Sequence, residues 1–317
     1  MTPVELSSPV YSNEDAARAH LEAIRWPDGV TCPHCGSADE ARALGGESMG
    51  PGWYYCEACQ DKFTVRSGTV YERSHVPLHK WLLAFRLMAS SKKGMSAHQL
   101  HRTLGVTYKT AWFMAHRIRE AMGPAKGKAG PMGGEGKVVE ADTTYVGGKE
   151  RNKHVGKRDG KKIGGVGKQI VHTLVERGGK ARSHHIPNVS GKTLRPILFG
   201  NVDRKSALMT DTAGGYLHLG KEFASHEMVD HSADEYVRGN AHSNTVEGYF
   251  ATLKRGIVGT YHHVSEAHLQ AYLHEFDFRH SNRSALKVDD CERTTRAIKG
   301  AEGKRLQYRQ PNKTANA

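Results

Sequence analysis

Lys137-Val-Val-Glu-Ala-Asp142-Thr-Thr-Tyr-Val146 sets the class of this chain. Val139, Ala141 and Thr143 interleave with Val138, Glu140 and Asp142, the period-two pattern of a strand with two distinct faces. Asp142 is the acid of that strand, and Glu140, on the same face, reads as a support or surface residue. Two further strand-like runs follow at 169–175 and 181–186, then a helix capped by Ser190 with Leu194, Ile197 and Leu198 inward. Ala207-Leu-Met-Thr-Asp211 is a short apolar strand ending in an acid. A helix near 215–221, a strand at 227–230 and a longer helix over 243–256 complete the run. Three strands, helix, strand, helix, strand, helix describes an α/β domain, a mixed sheet with helices.

Three acids stand out in that frame. Asp142 lies on the first strand, Asp211 ends the fourth, and Glu247 lies on the long helix, with thirty-five residues between it and Asp211. Lys254 follows Glu247 by seven residues, close to two helical turns, so the two share a helix face.

The front of the chain is different. Cys32-Pro-His-Cys35 and Cys56-Glu-Ala-Cys59 are two C-x-x-C pairs twenty residues apart, the spacing of a four-thiolate structural zinc site. Each knuckle presents two sulfurs to one tetrahedral ion, and two knuckles leave no open position. His34 inside the first knuckle is redundant, and Cys291 reads as a lone free thiol. Trp53-Tyr-Tyr55 and Lys62-Phe-Thr-Val-Arg66 supply short strands, and Asn13 caps a short helix before the ribbon.

Residues 78–90 have helical apolar spacing. Ser96 then caps a helix carrying Leu100 and Leu104, Gly105 ends it, and Thr107 caps a second bearing Lys109, Thr110, Trp112, His116 and Arg117. That is a helix-turn-helix pattern, with Lys109, Thr110 and Arg117 as candidate DNA contacts. The Gly/Pro-rich stretch 123–137 reads as a linker. The resulting division is 1–75 (helix and zinc ribbon), 76–122 (helix-turn-helix module), 123–137 (linker), 138–283 (the α/β domain with the three acids) and 284–317 (basic C-terminal tail).

Composition agrees with a polyanionic partner. The 317 residues carry 46 Lys plus Arg against 33 acids, a net +13, which favours phosphate contacts and counterion release. Residues 147–168 hold eight Lys or Arg and two acids among many glycines. They read as a mobile loop after Asp142, with Lys149, Arg151, Lys153, Lys157 and Arg158 placed to clamp DNA. The loop contains neither G-x-x-x-x-G-K-[ST] nor G-x-G-x-x-G, so its glycines do not mark a nucleotide site. His242, His262 and His263 are read as chance neighbours among twenty histidines rather than metal ligands. No window reaches the ~18–20 apolar residues of a membrane span. The N-terminal twenty residues lack a basic start and an apolar run, so no signal peptide is expected.

These features together resemble the DDE transposases of the insertion sequence 1595 family. The resemblance covers nearly the whole chain. It rests on the zinc ribbon, Asp142-Thr-Thr-Tyr-Val-Gly-Gly148, Thr210-Asp211 and His242-Ser-Asn-Thr-Val-Glu247-Gly-Tyr-Phe-Ala-Thr-Leu-Lys254-Arg-Gly256. It continues through Gly259-Thr-Tyr-His262, Tyr272-Leu-His-Glu275-Phe and Phe278-Arg279. It implies an RNase-H-like catalytic domain in which Asp142, Asp211 and Glu247 hold two Mg²⁺ ions, with Mn²⁺ as a substitute, and Lys254 and Arg255 contact phosphate. Water is the nucleophile for cleavage and a freed 3′-hydroxyl for joining, with no covalent protein–DNA intermediate. Relatives of this kind often carry Glu directly after the first Asp, where this chain has Thr143. Some use Asn at the third position, so Asn244 competes with Glu247, which its charge, interval and Lys254 partner favour. The implied partners are the element's terminal repeats, target DNA and further copies of the chain in a synaptic complex, in a bacterial cytoplasm at the nucleoid. A non-catalytic DNA-binding regulator and an RNase-H-like nuclease are the rival readings.

Overall fold

The computed structural model describes residues 5–46, 49–124, 130–148, 154–157, 167–211, 215–216, 218–229 and 243–307. The chain divides into two compact units: a ribbon–helix unit of residues 1–90, 95–123 and 290–317, and a sheet unit of residues 91–94 and 124–289.

In the ribbon–helix unit, α1 (Glu14–Arg25) starts where Asn13 accepts from the Ala16 N–H, and it buries Ala17, Leu21 and Ile24. The strands β1 (Ala41–Leu44), β2 (Trp53–Cys56) and β3 (Asp61–Thr64) form an antiparallel sheet in that order. Little apolar surface lies under this sheet beyond Phe63, which stacks on Tyr54 and meets the edge of Trp26. The helices α2 (Leu78–Ser90), α3 (Ala97–Leu104) and α4 (Tyr108–Met122) follow. Ser96 and Thr107 cap α3 and α4 as the sequence implies, and Gly105 closes α3 in the left-handed region at φ 60°.

The C-terminal residues depart from expectation. Rather than a basic tail from residue 284, the chain forms α8 (Asp290–Lys299), which packs against α1, α2 and α4. Beyond it Lys304 is 8% exposed, and its ammonium donates to the carbonyls of Glu120, Ala121 and Gly123 at 2.9, 3.2 and 2.6 Å. Those carbonyls lie at the end of α4, so a lysine in the stretch expected to be a basic tail serves as a C-cap.

The sheet unit is a five-stranded mixed sheet in the order β6-β5-β4-β7-β8. An antiparallel meander of β4 (Val138–Val146), β5 (Gln169–Glu176) and β6 (Ala181–Ile186) comes first. The chain returns through α5 (Gly191–Asn201) to β7 (Ala207–Asp211), parallel to β4, and β8 (Ser225–Val229), parallel to β7. One face, with Val139, Ala141, Leu174 and Leu208, packs under α5 around the fully buried Tyr216. The other face, with Val171, Val175 and Ala181, is covered by α6 (Asn244–Gly256) and α7 (Glu266–Ser281) through Val246, Tyr249, Leu253, Leu273 and Phe276. A π-helical turn, Ile257–Tyr261, joins these two helices' sequences.

Two expectations are corrected here. The helix expected near 215–221 is absent among the described residues: 215–216 and 218–219 are turns leading into the 3₁₀ segment Gly220–Glu222, although Tyr216, Leu219 and Phe223 all join the core. The linker is not wholly unpacked: Met132 is 2% exposed, joins the α5-side core and bridges to Val202. Among the described residues, no helix is long and apolar enough to cross a membrane.

Candidate active site and zinc cluster

The sheet topology brings two of the three acids together. Ala141 pairs with Thr210 in the parallel β4–β7 register. One residue further along, Asp142 and Asp211 occupy neighbouring positions at the end of β7, on the face covered by α6. Both are half-buried. The Thr143 N–H donates to Asp142 Oδ1 at 2.6 Å, fixing that carboxylate's orientation. Beside Asp211, Thr210 Oγ1 contacts His226 Nε2 at 2.9 Å.

On the opposite face, Thr143 Oγ1, His172 Nδ1 and Tyr216 Oη meet at 3.2–3.4 Å. Burial is the main force raising the Tyr216 phenol far above its ordinary range; the Thr143 hydrogen bond opposes it, and the nearby Asp211 and Asp142 charges add to it. Burial, reinforced by His184, drives His172 down to about 3 against a hydrogen bond with the Asp142 backbone. Both groups are therefore neutral at physiological pH, and they line the underside of the two-aspartate edge with uncharged polar atoms.

The third acid rides on α6. Glu247 lies in the helix's first turn, exposed, and accepts from Ser243 Oγ at 3.0 Å; Asn244, also exposed, is the first residue of the helix. Glu140, on the Asp142 face of β4, is wholly buried and fixes this helix end. Its Oε2 accepts from the N–H groups of Thr245 and Val246, both at 2.9 Å, and its Oε1 accepts from Thr245 Oγ1 at 2.9 Å and Arg177 Nε at 2.6 Å. The expected surface role for Glu140 gives way to the support role. Among the described residues, Asp142, Asp211 and Glu247 do not form a set with all ligand atoms within 4.8 Å of one another.

Further along the exposed side of α6, Lys254 and Arg255 line an open recess with Lys93, Val258, Gly259 and Thr260. Lys93 was not marked by sequence, because it lies more than 150 residues earlier in the chain. Gly256 explains the close approach: a Cβ there would stand 2.7 Å from the Lys93 carbonyl and 2.4 Å from the Phe276 ring.

The four cysteines do form a compact set, with the sulfurs of Cys32, Cys35, Cys56 and Cys59 all within 4.8 Å of one another. Cys32 and Cys59 are 3.7 Å apart and Cys35 and Cys56 3.6 Å. A tetrahedron with ~2.3 Å metal–sulfur bonds has edges of about 3.8 Å, so the cluster fits a structural zinc ion. Burial works against the Cys32 thiolate, yet the N–H groups of Cys35 and His34 and the neighbouring thiols outweigh it and bring that thiol down to about 7. Cys59 is pushed up to about 12, by burial first and then by its sulfur neighbours. Four thiolates cannot share this space unaided, and a divalent cation removes the conflict. His34 stands apart from the set, 3.8 Å from Asp61.

Of the candidate DNA contacts, Lys109 is exposed and Thr110 half-buried in the first turn of α4, next to Tyr108, which is 45% exposed and stacked on His98. Arg117 is a correction. It is 9% exposed, lies over Phe113, and donates to the carbonyls of Val70, Glu72 and Leu306 at 2.8, 3.1 and 3.2 Å. Two turns along α4, the helix face has rotated into the core, and the guanidinium is spent on backbone. Lys157 ends the short 3₁₀ segment Val155–Lys157, whereas Lys149, Arg151, Lys153 and Arg158 lie outside the described residues.

Comparison with known proteins places this arrangement. Residues 133–281 match the ISXO2-like transposase domain, and residues 12–62 match the transposase zinc-ribbon domain. A protein in transposable element ISH50 of Halobacterium salinarum is 31% identical over 294 residues, spanning 88% of this chain and 96% of the relative. With both domains matched and the likeness running almost end to end, the chain belongs to the insertion sequence 1595 family of transposases.

Proposed function

We propose that this transposase binds the terminal repeats of its element and carries out metal-dependent DNA cleavage and strand transfer on an RNase-H-like sheet. The observation that carries the reading is the placement of Asp142 and Asp211 side by side on the adjacent strands β4 and β7, with α6 docked on β4. Asp142, Asp211 and Glu247, with Asn244 as the alternative third ligand, would hold two Mg²⁺ or Mn²⁺ ions, hard cations that match such an oxygen donor set. Bound there, the metals would polarise the phosphodiester and stabilise both the attacking and the leaving oxygen.

The protein's own residues do the rest. Lys93, Lys254 and Arg255 offer a cationic recess for the DNA backbone beside α6. The helices α3 and α4 act as the helix-turn-helix reader, entering DNA with Tyr108, Lys109 and Thr110, while the zinc ribbon braces that unit. Holding two element ends calls for more than one copy of the chain. DNA binding places the protein at the nucleoid; the ISH50 relative is archaeal, so family membership does not imply a bacterial host.

The test is Asp142→Ala in the full chain, assayed on duplex DNA carrying the element's end. Binding is expected to persist while Mg²⁺-dependent cleavage and joining disappear. Retained cleavage overturns the assignment. Cleavage without joining of a 3′-hydroxyl end would favour a plain nuclease.

A further inference from the structure

We infer that Glu140 is a positioning residue for the metal site, a buried carboxylate latch that sets the start of α6 relative to Asp142. The inference rests on the proposed reading of Asp142, Asp211 and α6 as that site, and it extends that reading to a group outside the ligand set.

The start of α6 is capped in an unusual way. Ser243, at the N-cap position, makes no capping hydrogen bond with its side chain; its hydroxyl goes to Glu247 instead. The first-turn N–H groups of Thr245 and Val246 are satisfied by Glu140, more than a hundred residues earlier and on a different element. A helix start offers unpaired N–H donors and the positive end of the helix dipole, both suited to a carboxylate. Burying that carboxylate completely is costly unless every lone pair finds a donor. Here four donors converge on it: two backbone amides, the Thr245 hydroxyl and Arg177.

Position makes the latch more than a cap. Glu140 and Asp142 are two residues apart on one face of β4, a spacing of about 7 Å along a strand. The helix turn held by Glu140 carries both candidates for the third ligand, Asn244 and Glu247. The same strand therefore supplies one ligand and anchors the element that supplies another. Groups that orient metal ligands from behind typically change metal affinity or rate by about 10–100-fold when removed. Glu140→Gln keeps the shape but turns an amide NH₂ toward donors. Glu140→Asp keeps the charge but withdraws it by one methylene. Thr245→Val removes a single hydroxyl donor from a half-buried residue and is the variant least able to disturb folding.

The experiment measures Mn²⁺ binding by titration calorimetry on the full-length, zinc-loaded protein. It is paired with single-turnover cleavage of element-end DNA across Mg²⁺ concentrations, DNA affinity and thermal melting. The expected result is an approximately 10-fold or greater weakening of Asp142-dependent Mn²⁺ binding in Glu140→Gln, smaller in Thr245→Val, with partial recovery in Glu140→Asp. The Mg²⁺ concentration for half-maximal cleavage should rise in the same order, with DNA affinity unchanged. A general structural role would instead lower the melting temperature and the active fraction, leaving Mn²⁺ affinity and the Mg²⁺ half-point at wild-type values; that result overturns the inference. Wild-type Mn²⁺ binding that responds to Glu140, in a protein that cleaves no DNA, overturns the transposition chemistry and leaves the latch standing. Absence of any Asp142-dependent Mn²⁺ binding overturns both.

Discussion

Replacing Asp277 with Asn should alter the pH dependence of the sheet unit's stability in a direction the structure dictates. Asp277 on α7 accepts from Tyr249 Oη at 2.6 Å and from Ser183 Oγ and N–H at 2.7 and 2.8 Å. Ser183 in turn receives the Thr173 hydroxyl at 3.0 Å, and Thr173 is the β5 residue opposite Asp142. The network thus ties α6 and α7 to the strand row that ends at the candidate site. Burial raises the Asp277 carboxyl from its ordinary 3.8 to about 6, and the donors from Tyr249 and Ser183 and the Arg182 charge only partly offset it. Because the folded state holds this proton more tightly than the unfolded chain, the contribution is fully present below pH 3.8 and lost as pH rises through 6. Linkage with those two values gives on the order of 1 kcal/mol between pH 5.0 and 7.5, an upper figure because the residue itself is only half-buried although its carboxylate is enclosed. Asp277→Asn abolishes that titration and adds a pH-independent loss of ~1–2 kcal/mol, as its amide meets the Ser183 N–H. The buried His172 and His280, held down to about 3 and 4, lose stability toward acid in both proteins, so their effect cancels in the difference. All four tryptophans, at 26, 53, 81 and 112, lie in the other unit, so the assay is pulsed hydrogen exchange at graded urea on peptides covering β6 and α7. Wild type should gain on the variant by about 1 kcal/mol as pH falls from 7.5 to 5.0. A flat difference, or one of opposite sign, would refute the argument.

The zinc cluster and the α4 surface give sharper yes-or-no outcomes. Cys56→Ser should drop bound zinc from one per chain to well below that. It should also shift the fluorescence of Trp26, which packs against Tyr54 and Phe63, with the helical signal of the sheet unit retained; full zinc occupancy by metal analysis would contradict it. Arg117→Ala removes three hydrogen bonds to carbonyls and should cost ~2–4 kcal/mol of ribbon–helix stability in a melting experiment. Lys109→Ala, at an exposed position, should lower melting less than Arg117→Ala does and flatten the salt dependence of DNA binding by about one ion. The reverse pattern for these two residues would restore Arg117 as a DNA contact.

The legible parts of this molecule share one property: their determinants lie within one or two turns of chain. The alternation of β4, the serine and threonine caps, Gly105 and the cysteine knuckles each act through neighbours a few residues away. What was misjudged or left open acts across long separations. Arg117 and Lys304 were misjudged and Glu140 was left between a support and a surface role; their backbone partners lie 47, 184 and 105 residues away. The turn over 215–221 has the spacing of a poor helix, and only the burial of Tyr216 against Thr143 and His172 determines its path. Even the short β1, Ala-Arg-Ala-Leu, exists because β2 offers it a paired edge rather than through any strand preference of its own. The same division runs through the candidate site. The two candidate aspartates stand out by pattern, because one lies within and the other ends a readable strand. The placement of α6, which carries Asn244 and Glu247, does not, because the start of that helix donates to a buried carboxylate a hundred residues earlier in the chain. In a metal site assembled from a sheet edge and a docked helix, identity is local and geometry is not. The residues most informative to mutate are therefore the ones that carry the geometry.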